Sequence, residues 1–155
     1  MKKYIFKIIT GLLIILSANI SPAIENKPGH LNITVYRSPT CECCKDWITH
    51  LKNNNFQITD IPTSNMESIK ERYGIPPDME SCHTAIIDGY LIEGHVPADD
   101  IKLMLKTKPA IAGLSVPKMP VGPPGMEDGN RKDPYKVLSF DKKGKTTVFK
   151  EYKNY

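Results

Sequence analysis

The sequence predicts an α/β fold, a mixed β-sheet with helices on both faces. Three observations point there. Short β-rich runs with two-residue alternation are interleaved with stretches of helical period. Asp88-Gly89 stands between two apolar runs, a strong short-range hairpin signal. Three cysteines, Cys41, Cys43 and Cys44, crowd the start of the first helical stretch.

Taken in order, "LNITVYR" alternates around Ile33 and Val35 and reads as a strand, broken by Ser38-Pro39-Thr40. Thr40 or Cys41 can cap a helix running to about Asn53, because Cys44, Trp47, Ile48 and Leu51 fall at i, i+3, i+4 and i+7. "FQITDI" is a second strand. "SNMESIKERYG" is a short helix, capped by Ser64 or Asn65 and stopped by Gly74. "CHTAIIDGYLIEGHV" is the hairpin. Pro97 opens a helix through "PADDIKLMLKT", with Asp99 and Asp100 near its positive end. The stretch from Lys108 to Pro134 is predicted as a long Pro/Gly loop, and loops of such length are often functional. "YKVLSF" and "KTTVFKEY" form a terminal hairpin, an appendage to the main unit. The order β-α-β-α-β-β-α is that of the thioredoxin-like arrangement.

Residues 1–23 are read separately. Lys2, Lys3 and Lys7 precede the apolar run Ile8–Leu16, and Ser21-Pro22-Ala23 places small residues at a cleavage site. This is the layout of a secretory signal peptide, and the run is well short of the roughly 20 residues that span a bilayer. Residues 24–155 then form a single exported domain with no stable membrane insertion. Losing those 3 lysines takes the 21 basic residues to 18, against 17 acidic ones. The mature chain is near neutral, and no basic patch interleaved with aromatics speaks for nucleic acid. Asn32-Ile33-Thr34 fits a glycosylation sequon, a weak match inside a strand.

The chemistry lies in the sulfurs. Cys41 and Cys44 have C-x-x-C spacing at the first turn of a helix that follows a strand. That is where thioredoxin-like proteins carry their redox pair. Helix N-termini favour thiolates. Cys43 is a third sulfur that dithiol exchange does not need. No proline lies between Pro77 and Pro97, so the cis-proline usual before the third strand is absent. Cys82 or His83 takes its place, facing Cys41 and Cys44. Four converging thiolates suit a soft cation. Neighbouring Cys43 and Cys44 suit bridging between several Cu(I) ions, whereas zinc sites more often use two separated C-x-x-C pairs. Two other readings stay open: a thiol–disulfide oxidoreductase using Cys41 and Cys44, and a disulfide-held interaction module.

His83 is either a ligand, a donor to a thiolate, or a strand histidine. His95 is expected to pack in a loop, His50 to be solvated, and His30 to be inert. Met119 and Met126 offer thioether ligands from the Pro/Gly loop, or merely anchor it. Met66, Met79, Met104 and Trp47 read as core. Glu42 has no carboxylate partner. No Ser/His/Asp set, phosphate loop or H-E-x-x-H is present, which removes the common hydrolase classes.

"YRSPTCECCKDW", "SCHTAIIDGYLIEGHVPADDIKLML" and "GLSVPKMPVGPPGME", in this order, resemble the CopG-like family of exported, predicted metal-binding proteins associated with copper resistance. The resemblance runs from about residue 31 to 152. It implies a thioredoxin-like fold, copper held by Cys41, Cys43, Cys44 and Cys82, and a periplasmic role beside other copper-handling proteins. Met119 and Met126 carry over without a fixed role. Family members often have C-G-C-C, and Glu42 replaces that glycine here. The expected protein therefore binds Cu(I), with copper as its cargo and catalysis secondary.

Overall fold

The computed structural model describes residues 31–153 and 155. The expected signal peptide at 1–23, the domain's lead-in at 24–30 and His30 lie outside the described residues. Seven strands form one sheet: β1 (Leu31–Arg37), β2 (Phe56–Pro62), β3 (His83–Ile87), β4 (Tyr90–Glu93), β5 (Gly113–Ser115), β6 (Tyr135–Phe140) and β7 (Thr146–Tyr152). Their spatial order is β2-β1-β3-β4-β5-β6-β7. The β1–β2 and β4–β5 pairs are parallel and the others antiparallel. The helices are α1 (Glu42–Asn53), α2 (Met66–Tyr73) and α3 (Ala98–Thr107). The mixed sheet and flanking helices agree with the α/β, thioredoxin-like expectation.

Side-chain alternation separates the two faces of the sheet. His83 lies 4.2 Å, ring to ring, from Trp47 of α1. Its neighbour Thr84 points the other way, to Lys70 of α2. One face therefore carries α1 and α3 over a core of Ile33, Val35, Trp47, Leu51, Ile101 and Met104. On α1 the buried residues are Cys44, Trp47, Ile48 and Leu51, the stripe that the spacing predicts. Asn65 caps α2 by accepting from Ser68 N, and Gly74 ends it in the left-handed conformation.

The long loop and the appended hairpin need correction. Within the loop, β5 pairs with β4 on one side and β6 on the other, so the terminal hairpin continues the same sheet. Three residues beginning with glycine carry too little pattern to read as a strand. Glycine is required at 113 because a Cβ there would meet Leu91 O at 2.1 Å. Tyr152 of β7 donates to Asp100 of α3 at 2.7 Å, tying this far end of the sheet to the α3 side.

His50 also departs from expectation. It is half-buried, and its Nε2 accepts from Ala98 N at 3.1 Å. Pro97 offers no side-chain cap to α3, so His50 supplies one from another helix. Burial lowers its pKa below the ordinary 6.5, although Glu127 and Asp99 oppose the shift. A depressed folded pKa stabilises the fold above the unfolded value, and that stability is lost as pH falls through the folded one. His50→Ala is expected to cost about 1 kcal/mol at pH 8. It should also flatten the acid-side decline of stability, as followed by urea unfolding between pH 8 and 5.

Candidate metal centre

The backbone ladder builds the site before any side chain acts. Arg37, the last residue of β1, pairs with His83, the first of β3. The chain leaving β1 and the chain arriving at β3 are thus neighbours. Arg37 is buried and holds Asp60 of β2 through two hydrogen bonds of 2.9 and 2.7 Å. Its third nitrogen donates to Ser38 O at 3.0 Å, inside the turn that delivers Cys41. Cys41 is the N-cap of α1 and its side chain makes no capping bond, which leaves the sulfur free for other chemistry.

Cys41, Cys43, Cys44 and Cys82 come together with all four sulfurs within 4.8 Å of one another. The distant cysteine therefore reaches the trio. The sulfurs are not all thiols, however: Cys41 and Cys44 are joined as a disulfide, and Cys43 and Cys82 are free. Four simultaneous thiolates belong to the reduced protein, and this structure is the oxidised one. Cys43 Sγ lies 3.5 Å from Cys41 Sγ, and Cys44 Sγ lies 3.8 Å from Cys82 O.

Cys82 differs in character from a helix-end thiolate. Burial, then the neighbouring Cys43 sulfur, push its pKa up to about 12. Without a cation it stays a neutral thiol, and capture of a metal would expel its proton.

Two imidazoles face the same sulfur. His95 Nε2 is 3.1 Å from Cys82 Sγ and His83 Nδ1 is 3.4 Å away. Cys82, His83 and His95 form a second converging donor group. His95 is fully buried, against the expectation that it merely packs in a loop. The Asp88-Gly89 hairpin held the signal: its register, with Ile87 opposite Tyr90, carries His95 just beyond β4 to face Cys82 just before β3.

A loop closes over these groups. His95 Nδ1 lies 2.8 Å from Pro124 O. A Cβ on Gly125 would meet Trp47 N at 2.7 Å and Cys43 O at 2.8 Å. Only glycine, with φ +81°, lets this backbone lie against the start of α1. Met126 follows directly and is half-buried. Met119 stands 50% exposed, at the rim of a cavity of about 510 Å³ lined by Val116, Pro117, Pro134, Tyr135 and Leu138. The two methionines thus lie in different surroundings, and only Met126 adjoins the segment that covers the cysteines.

The turn before β3 is braced from the opposite face. Glu93 is fully buried, accepts from Ser81 N at 2.7 Å and Thr84 Oγ1 at 2.6 Å, and pairs with Lys70. Burial raises its pKa, and Lys70, Thr84 and Ser81 counter the shift. Ser81 Oγ donates to Lys118 O at 2.6 Å. These bonds fix the segment where a proline was missed. Sequence reading overlooked Glu93 because a lone glutamate in a hairpin carries no signal of burial.

Similarity to known proteins agrees with this geometry. Residues 79–126 match the family described as "Protein of unknown function, DUF411". The solved structure "Copper resistance protein copG- Form 2" is 48% identical, with a TM-score of 0.76, covering 80% of this chain and 99% of its own. "Copper resistance protein copG- Form 1" is 49% identical, with a TM-score of 0.75, covering 79% and 98%. No curated protein matches.

Thiol titration in denaturant is expected to count two reactive cysteines without reductant and four after reduction. Gly125→Ala should lift the covering loop, speed alkylation of Cys43 severalfold in the native protein, and cost about 1–3 kcal/mol in urea unfolding. Unchanged Cys43 labelling in that variant would show that the loop does not shield the site.

Proposed function

The chain belongs to the CopG family of copper resistance proteins, and from that premise we propose that it is an exported copper-handling protein that holds Cu(I) on its cysteine cluster. The observation that carries the reading is the convergence of Cys82 with Cys41, Cys43 and Cys44, although 38 residues separate Cys44 from Cys82. Thiolates are the preferred ligands of Cu(I), and a thiolate can bridge two such ions. Reduction of the Cys41–Cys44 bond frees two more sulfurs, so the reduced site has four donors for a polynuclear cluster. Met126, on the covering loop, is a candidate thioether ligand. Met119, half exposed on the rim of its cavity, suits transient contact with arriving copper better than tight ligation. The work would be buffering or transfer in the periplasm, with copper-handling proteins there as partners. The signal-peptide layout read in the sequence of residues 1–23 supports that location.

The disulfide favours a second component, redox handling. Two Cu(II) ions can each take one electron from the Cys41 and Cys44 thiolates, leaving two Cu(I) ions and the disulfide. Atoms and charge balance without an added oxidant. A general thiol–disulfide oxidoreductase is less favoured, because Cys43 stands 3.5 Å from Cys41 Sγ as a competing partner.

Anaerobic, reduced protein titrated with Cu(I) against a chromophoric chelator should bind more than one ion per chain. Cys82→Ser and Cys43→Ser should each lower that number. A wild-type stoichiometry of zero, or full retention by both variants, would refute the cluster. Retention of insulin-reductase activity by both variants would favour the oxidoreductase instead.

A further inference from the structure

Disulfide formation removes Cys41 and Cys44 from metal binding, yet Cys82 does not stand alone in that state. Two imidazole nitrogens lie 3.1 and 3.4 Å from its sulfur. A metal at about 2.3 Å from sulfur and about 2.0–2.1 Å from nitrogen sets S···N edges near 3.5 Å in a tetrahedron. Both S···N separations are thus already close to what a single ion needs, and all three donor atoms lie within 4.8 Å of one another.

The tautomers suit this as well. A carbonyl oxygen only accepts, so the proton shared with Pro124 O sits on His95 Nδ1. His95 Nε2 therefore presents its lone pair to the site, held by a backbone partner of the kind that orients metal-bound histidines. His83 is fully buried against Trp47 and turns Nδ1 to the sulfur, while its Nε2 makes no hydrogen bond. With Nδ1 as the ligand atom the ring proton sits on Nε2, which stays unpaired, so the case for the site rests on the donor spacing and on the His95 tautomer.

We infer that the oxidised protein, with Cys41 and Cys44 joined, holds one divalent transition-metal ion on Cys82 Sγ, His83 Nδ1 and His95 Nε2. This deepens the reading of the region as a metal centre but does not depend on the Cu(I) cluster. One thiolate and two imidazoles are a borderline donor set. It suits Zn(II), Co(II) or Cu(II), whereas the four-sulfur site suits Cu(I). Three protein donors leave a fourth position open to water. The two sites share Cys82, so they are alternatives selected by the state of the disulfide. Reduction adds sulfur donors and moves the preference from one divalent ion to monovalent copper.

Co(II) is the probe, added to oxidised protein without reductant. One equivalent is expected, with a sulfur-to-cobalt charge-transfer band in the near ultraviolet and four-coordinate ligand-field bands. Cys82→Ser should abolish the charge-transfer band. His95→Ala and His83→Ala should weaken binding at least about tenfold. Because His83 lies in the core, X-ray absorption on cobalt-loaded wild type supplies a readout free of variants. One sulfur with two or more imidazole nitrogens supports the site. Two sulfurs, no uptake, or uptake indifferent to Cys82→Ser overturns it. Failure here alongside Cu(I) binding by the reduced protein would leave the cluster standing, and the reverse result would leave this site standing.

Discussion

The structure depends on one stretch of backbone pairing, the antiparallel ladder of β1 and β3 that sets Arg37 opposite His83. Antiparallel neighbours run in opposite directions, so the residues just after one strand lie beside those just before the other. Cys41 to Cys44 follow β1, and Cys82 precedes β3. A one-residue slip in this register would send His83 to the α2 face and Thr84 to the α1 face, and the histidine would leave the sulfurs. Arg37 secures the same spot with its side chain, holding Asp60 of β2 and the Ser38 carbonyl in the turn toward Cys41.

The two faces of the sheet then divide the labour. On the α1 face, His83 and His95 approach Cys82 among apolar neighbours, where burial keeps both imidazoles largely unprotonated. On the α2 face, Glu93, Lys70 and Thr84 grip the backbone at Ser81. A buried ion pair of this kind is weak evidence for stability. Its carboxylate here satisfies the backbone N–H of Ser81, one residue from the Cys82 sulfur, so it constrains where that sulfur sits.

The covering loop adds specificity through steric limits. Pro124 fixes the proton on His95 Nδ1 and Gly125 rests against α1, so these two residues set the imidazole's tautomer and seat the loop on the helix start. The arrangement fits a chain whose relatives are described as copper resistance proteins.

Composition and spacing alone were enough for the α1 stripe, the Asp88-Gly89 hairpin, the caps of α2 and the pairing of sulfur-rich α1 with a distant cysteine. The first three are local or periodic signals, carried by neighbours within about one or two turns; the approach of Cys82 was read from the thioredoxin-like order of elements. Other features appeared only in three dimensions. β5 is three residues long and is a strand because β4 and β6 hold it from both sides. His50 caps a helix 48 residues away, and Glu93 is an anchor because α2 delivers Lys70 to it. The physical reason is common to all of them. A polar side chain's role is set by the partner that satisfies it once water is excluded, and that partner is chosen by the packing of elements remote in sequence.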